Sequence, residues 1–215
     1  MYSLAQFRNS LGRGWRIRWP VATAAALLVL LAGAALWQFS QAHSFAGVAK
    51  PPQSPAPEIT LTDDRGAVFQ LSALRGRWVL LAYGYTHCPD VCPLTLSNLN
   101  QALQLLGAGA GDVRVVFVSV DPERDTVPVM HDYVTHFNPN FTGLTGTAGE
   151  VAVAAQAYGV RYEKVATTSA SGYAVSHSAY VYLIDPQFNW RLTYPFGVTP
   201  EEIAGDLRYL MQHPG

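Results

Sequence analysis

Residues 78–106 constrain the fold more than any other stretch of this chain. Trp78-Val79-Leu80-Leu81-Ala82-Tyr83 is an unbroken apolar run, the mark of a strand buried on both faces. Leu96, Leu99, Leu103 and Leu106 follow at helical spacing. Between them lies Gly84-Tyr85-Thr86-His87-Cys88-Pro89-Asp90-Val91-Cys92-Pro93, which holds both cysteines of the protein. A strand must therefore hand over to a helix across the two thiols. Unpaired backbone N–H groups and the helix dipole favour thiolates at such a junction. Pro93 fits there only within the first helical turn.

A bridge from Cys88 to Cys92 would be a poor structural staple, because so short a loop removes little unfolded-state entropy. Thiol redox chemistry and soft-metal binding remain. The spacer Pro89-Asp90-Val91 is one residue longer than in the usual dithiol oxidoreductase pattern, which leaves metal binding open. Copper or zinc held by two thiolates wants a third donor, often imidazole. The chain has six histidines: His43, His87, His131, His136, His177 and His213. His43 falls in a linker, His213 in the tail, and His131 and His136 in a predicted helix. His87 adjoins Cys88, and His177 sits at the mouth of a predicted strand over 179–185. No local ligand spacing selects among them.

The N-terminus reads as a membrane anchor. Residues 1–19 carry Arg8, Arg13, Arg16 and Arg18 and no acid, and residues 20–37 are an uncharged run that Phe39 extends. The run is long enough to span a bilayer, and it exceeds the core of about 7–15 residues usual in a signal peptide. Trp15, Trp19 and Trp37 bracket it as interfacial anchors would. The arginines predict a cytoplasmic N-terminus (1–19), a transmembrane helix (20–39) and an exported remainder. The competing reading is a signal peptide cleaved near Ser40-Gln41-Ala42. Residues 40–57, with Pro51, Pro52, Pro55 and Pro57, read as an extended tether. Residues 58–215 form the globular part. They carry nine Lys/Arg against fifteen Asp/Glu, which argues against nucleic acid as a partner.

The globular part opens with a predicted hairpin over 59–71 turning at Asp63-Asp64-Arg65-Gly66. The cysteine strand and helix follow, then a β-branched strand over 113–120 and a helix over 126–137. Thr147 and Glu150 form a capping-box pattern that opens another helix. Residues 167–172 read as a polar loop. The strand over 179–185 pairs with 190–196 across a turn. Thr199-Pro200-Glu201-Glu202 starts the last helix. Strands alternating with helices predict an α/β fold, a mixed sheet flanked by helices with a hairpin at its start.

Three blocks carry a family resemblance: residues 84–93, then Val118-Ser119-Val120-Asp121-Pro122-Glu123-Arg124-Asp125-Thr126, then Val175-Ser176-His177-Ser178-Ala179. In sequence and order they resemble the SCO/SenC family, over residues 58–212. The resemblance implies a thioredoxin-like fold. It implies a copper-binding protein that helps assemble the copper centre of cytochrome c oxidase subunit II. It also implies partner proteins that donate copper and reduce the thiols. By it, Cys88, Cys92 and His177 map onto copper ligands, and Cys88 and Cys92 onto a redox-active pair. Ser176 stands where members often carry an acid. Asp121 and Asp125 either face the site or serve as turn and cap residues. The rival readings are a thiol–disulfide reductase that needs the cysteines but not His177, and a peroxidase using Arg77 or Arg114.

Overall fold

The computed structural model describes residues 18–40, 43–167 and 172–213. The chain divides into two compact units on either side of Ser44. The first contains helix α1 (Arg18–Ser40), and Leu27, Leu28, Val29, Leu30 and Leu31 on it are exposed. Among the described residues no helix is long and apolar enough to cross a membrane. Arg8, Arg13, Arg16, Trp15 and most of the polar 167–172 loop lie outside the described residues.

The second unit is an eight-stranded mixed sheet with helices packed around it. In chain order its elements are β1 (Val48–Ala49), β2 (Thr60–Asp63), β3 (Val68–Gln70), β4 (Trp78–Gly84), α2 (Val91–Leu106), β5 (Val113–Ser119), α3 (Val127–Phe137), β6 (Thr142–Thr145) and α4 (Ala148–Ala157). There follow β7 (Tyr162–Ala166), β8 (Tyr173–His177), β9 (Val181–Ile184), β10 (Trp190–Tyr194) and α5 (Pro200–Gln212). The sheet runs β1-β10-β9-β4-β5-β6-β2-β3. Strand β4 is central, parallel to β5 and antiparallel to β9. Every residue of β4 is buried, which is why its sequence shows no alternation. Both capping boxes form, Thr147 with Glu150 and Thr199 with Glu202.

Two elements escape the sequence reading. Strand β6 is short, runs parallel to β5 and contains Gly143. A Cβ on Gly143 would meet Met130 Cε at 3.1 Å and Val134 Cγ1 at 3.2 Å, so its bareness lets α3 lie close. The β7–β8 hairpin forms a separate two-stranded sheet with Tyr162 opposite His177. His177 thus closes β8 rather than opening β9.

Residues 45–57, expected as part of a free tether, instead form a strap along the sheet edge. Val48 and Ala49 pair with Thr193 and Leu192 of β10. Trp190 N–H donates to Ser54 O at 2.8 Å, and Ala56 N–H to Phe188 O at 2.9 Å. Tyr158 Oη–H donates to Pro57 O at 2.8 Å, and Lys50 Nζ stands 4.1 Å over the Trp190 ring. Prolines are compatible with this role, because an edge strand need not donate on its outer side. A chain starting at residue 58 loses these bonds and the buried Ala56. At about 1 kcal/mol for each of some three hydrogen bonds, its Tm should fall about 6–12 °C below that of a chain starting at residue 43. Calorimetry on the two fragments checks this, and equal Tm values would show the strap to be passive.

Candidate metal centre

The centre is built where β4 ends. Gly84 closes the strand, and its carbonyl accepts Val120 N–H at 2.8 Å, tying the loop to β5. A Cβ at residue 84 would lie 2.6 Å from Cys92 Sγ and 2.7 Å from Phe117 Cζ. No side chain fits there, so glycine is what lets the sulfur sit against the strand. The loop then turns, with Cys88 N–H donating to Tyr85 O at 3.3 Å. Helix α2 starts at Val91 without a side-chain cap from Asp90. Cys88 Sγ does that work and accepts Cys92 N–H at 3.4 Å. Cys88 is half-buried and Cys92 buried.

The third group arrives from the β7–β8 hairpin. His177 Nε2 lies 3.3 Å from Cys92 Sγ. Its Nδ1 is 3.1 Å from the Ser178 carbonyl. A carbonyl only accepts, so Nδ1 carries the proton and Nε2 presents its lone pair to the sulfurs. The ring meets Tyr85 edge-on, with centroids 6.0 Å apart. The donor atoms of Cys88, Cys92 and His177 all lie within 4.8 Å of one another.

The two thiols are electrically unlike. Cys88 is lowered to about 3, chiefly by the hydrogen bond from Cys92 and, against burial, by the N–H groups of Asp90 and Cys92. Cys92 is pushed up by that same shared bond and then by burial. Of the two sulfurs, the outward Cys88 is therefore the more readily ionised. Two sulfurs and a nitrogen that converge this closely suit a soft cation. Thiolates favour Cu(I), and the added imidazole accommodates Cu(II).

Asp121 and Asp125 are both fully buried, and neither belongs to the donor cluster. Asp125 sits beneath the loop. It accepts Thr86 N–H at 3.1 Å, Thr86 Oγ1–H at 2.6 Å and Ser119 Oγ–H at 2.6 Å. Burial raises its pKa against those three bonds. Asp121 holds the hairpin. It pairs with Arg124 and accepts Tyr173 Oη–H at 2.7 Å. Arg124 Nη1 in turn donates to Tyr173 O at 3.0 Å. The motif around these aspartates was visible in the sequence, but not its supporting role.

The remaining candidates lie elsewhere. His131 Nδ1 meets Asp64 Oδ2 at 2.8 Å, and His213 Nδ1 meets Tyr209 O at 3.0 Å. Arg77 pairs with Asp112 at 2.8 Å, and Arg114 donates to the carbonyls of Gly111 and Val113. Both arginines stand where β4 and β5 begin, at the end opposite Gly84, so neither serves a peroxidase at Cys88.

A mixed sheet with a parallel centre, cysteines at its strand-to-helix turn and a histidine swung in from a side hairpin define a thioredoxin-like protein with a candidate centre of two cysteines and a histidine. The SCO1/SenC family model matches residues 49–212, and the chain belongs to that family. The bovine mitochondrial protein SCO2 homolog is 39% identical over 153 residues, covering 70% of this chain and 58% of its own length. The chain thus spans little more than half of that relative. Arabidopsis thaliana ScoI, solved with copper bound, superposes with a TM-score of 0.70 at 35% identity, covering 74% of this chain and 99% of that one. Bradyrhizobium japonicum ScoI, also with copper bound, gives 0.66 at 37% identity, covering 73% and 99%.

Proposed function

We propose that this protein is a membrane-anchored copper chaperone that carries one copper ion on Cys88, Cys92 and His177. We further propose that it passes the ion to the copper centre of cytochrome c oxidase subunit II. The observation that carries the reading is the convergence of those three donor atoms within 4.8 Å, from positions 85 residues apart in the chain. Copper in the two ScoI structures supports the choice of metal. The SCO/SenC resemblance supports the oxidase as recipient. The uncharged run over 20–37, with arginines only on its N-terminal side, supports a single-pass anchor in the inner membrane and an exported domain.

The residues suit transfer rather than storage. Cys88 is the more exposed and the more readily ionised of the two sulfurs, so it meets an incoming ion before Cys92. Any proton on Cys92 passes to water as its sulfur binds, and His177 offers the ring nitrogen that faces Cys92. Three protein ligands leave one side of the ion open to the donor atom of a recipient. Oxidation of the pair to a disulfide would release the metal, so on the oxidising exported side a reductant must keep the thiols available.

Loss of an outer-shell partner costs about 10–100-fold in metal affinity, so His177→Ala should weaken Cu(II) binding by at least about 100-fold. Cys88→Ala and Cys92→Ala should abolish it with the fold retained. Competition titration and the sulfur-to-copper absorption bands read the result. A His177→Ala protein that binds Cu(II) as tightly as the parent would overturn the three-donor site. A readily ionised outer sulfur beside a buried one also suits a thiol–disulfide reductase acting on oxidase cysteines. Reductase activity that survives in His177→Ala while copper binding is lost would favour that reading.

A further inference from the structure

His87 immediately precedes Cys88, and its side chain is 45% exposed. Its Nδ1 lies 3.0 Å from Thr86 Oγ1. That hydroxyl lies 2.6 Å from Asp125 Oδ1. The carboxylate accepts only, so the hydroxyl proton points at Asp125 and the oxygen offers only lone pairs to the ring. Nδ1 must then be the donor, and the chain of bonds runs from imidazole to hydroxyl to buried carboxylate. With that donor on Nδ1, Nε2 is the ring nitrogen left to offer a lone pair. Among the described residues no hydrogen bond to Nε2 is made.

This is the construction that metal-ligating histidines carry: one ring nitrogen donates to a fixed oxygen, and the other keeps its lone pair for the metal. His87 has that construction without standing in the three-donor cluster. Its place in the chain supplies a reason. Cys92 is 2% exposed, Cys88 and His177 are half-buried, and His87 is exposed, so an ion arriving from outside meets His87 before it reaches the buried Cys92. The His87 imidazole is the most exposed of the four donors, stands one residue from Cys88, and is anchored through Nδ1.

We infer that His87 is an auxiliary copper ligand, which with Cys88 holds the ion during loading and handover. The inference rests on the copper reading above and deepens it. On loading, bonds from Cu(I) to Cys88 Sγ and His87 Nε2 form as bonds to the incoming carrier break. The bond to Cys92 Sγ then forms, and any proton on that sulfur passes to water. The bond to His177 Nε2 forms as that to His87 Nε2 breaks. Copper stays monovalent throughout, and handover reverses the order.

The test uses the full chain in detergent, loaded with one equivalent of Cu(I), with bathocuproine disulfonate as the acceptor. In His87→Ala, transfer should slow about tenfold while the Cu(I) Kd moves less than threefold. Long-range proton–nitrogen spectra of the copper-free parent should show His87 protonated on Nδ1. Substoichiometric Cu(I) should shift or broaden its Nε2 resonance. Transfer within twofold of the parent, or a ring protonated on Nε2, would overturn the inference and leave His87 with its bond to Thr86 alone. Should His87→Ala fail to fold, the parent spectra decide on their own. If the parent takes up no Cu(I) at all, it is the copper reading that falls.

Discussion

Replacing Arg124 with alanine should lower the melting temperature of the domain by about 10 °C and weaken copper binding together. Asp121 is fully buried, and Arg124 is its ion-pair partner. Removing one member of a buried pair leaves an uncompensated charge and costs about 3–5 kcal/mol. At about 2–4 °C per kcal/mol for a domain of this size, that is about 10 °C. Copper is affected because the same guanidinium lies 3.8 Å from the Tyr173 ring centroid and donates to its carbonyl at 3.0 Å. Tyr173 opens β8 and His177 closes it, so the latch sets the line of the strand that presents the imidazole. The exposed pair of Lys164 and Glu123, 2.6 Å apart, adds little to that hold. Adding Asp121→Asn separates the two effects. The double variant should regain most of the lost Tm, because the stranded charge is gone, while Cu(II) affinity stays low. A single variant that melts within about 2 °C of the parent would show that Asp121 keeps its charge satisfied without Arg124.

What the sequence made legible was whatever is written locally or buried on all sides. The 78–83 run could only be a central strand, since covering both faces removes any alternation. The capping boxes at Thr147 and Thr199 were readable because each is complete within four residues. The β7–β8 hairpin was missed because most of β7 is exposed, and so no apolar period marks it. Strand β6 was missed because Gly143 is there for the approach of α3, which leaves no side chain to read. The prolines of 51–57 signalled extension correctly but not attachment, since their partners Phe188 and Trp190 lie more than 130 residues away. The metal centre divides along the same line. Both cysteines announce themselves by spacing and junction. Nothing near His177 singles it out among six histidines, and the family resemblance did that before the fold placed it against Cys92. The acid missing at Ser176 does not orphan the imidazole, because the Ser178 carbonyl takes its Nδ1 proton.

Asp125→Ala should weaken copper binding by about 10–100-fold while leaving all three donor residues in place. The carboxylate gathers the Thr86 N–H, the Thr86 hydroxyl and the Ser119 hydroxyl, and Thr86 stands two residues before Cys88. Without it, buried donors from β5 and from the loop lose their acceptor, at about 1–3 kcal/mol for each group left unsatisfied. The loop can recover them only by moving, and moving it displaces the Cys88 sulfur from Cys92 and His177. Asp125→Asn keeps one oxygen and the shape of the side chain, so it should fall between alanine and the parent. Its stability cost should also depend on pH, with a sign that burial dictates. Burial raises the folded-state pKa of Asp125 above its unfolded value, so the ionised form is the penalised one. Its contribution to stability is therefore greatest below the unfolded pKa and declines as pH rises through the folded one. Asparagine carries no such penalty, so the deficit of Asp125→Asn should be larger near pH 4 than at pH 7. Chelator competition gives the affinities, and denaturant melts at the two pH values give the deficits. Unchanged affinity in Asp125→Ala would mean that the turn itself, through Pro89, Pro93 and the Cys88 N–H bond to Tyr85, holds the sulfurs without support from below.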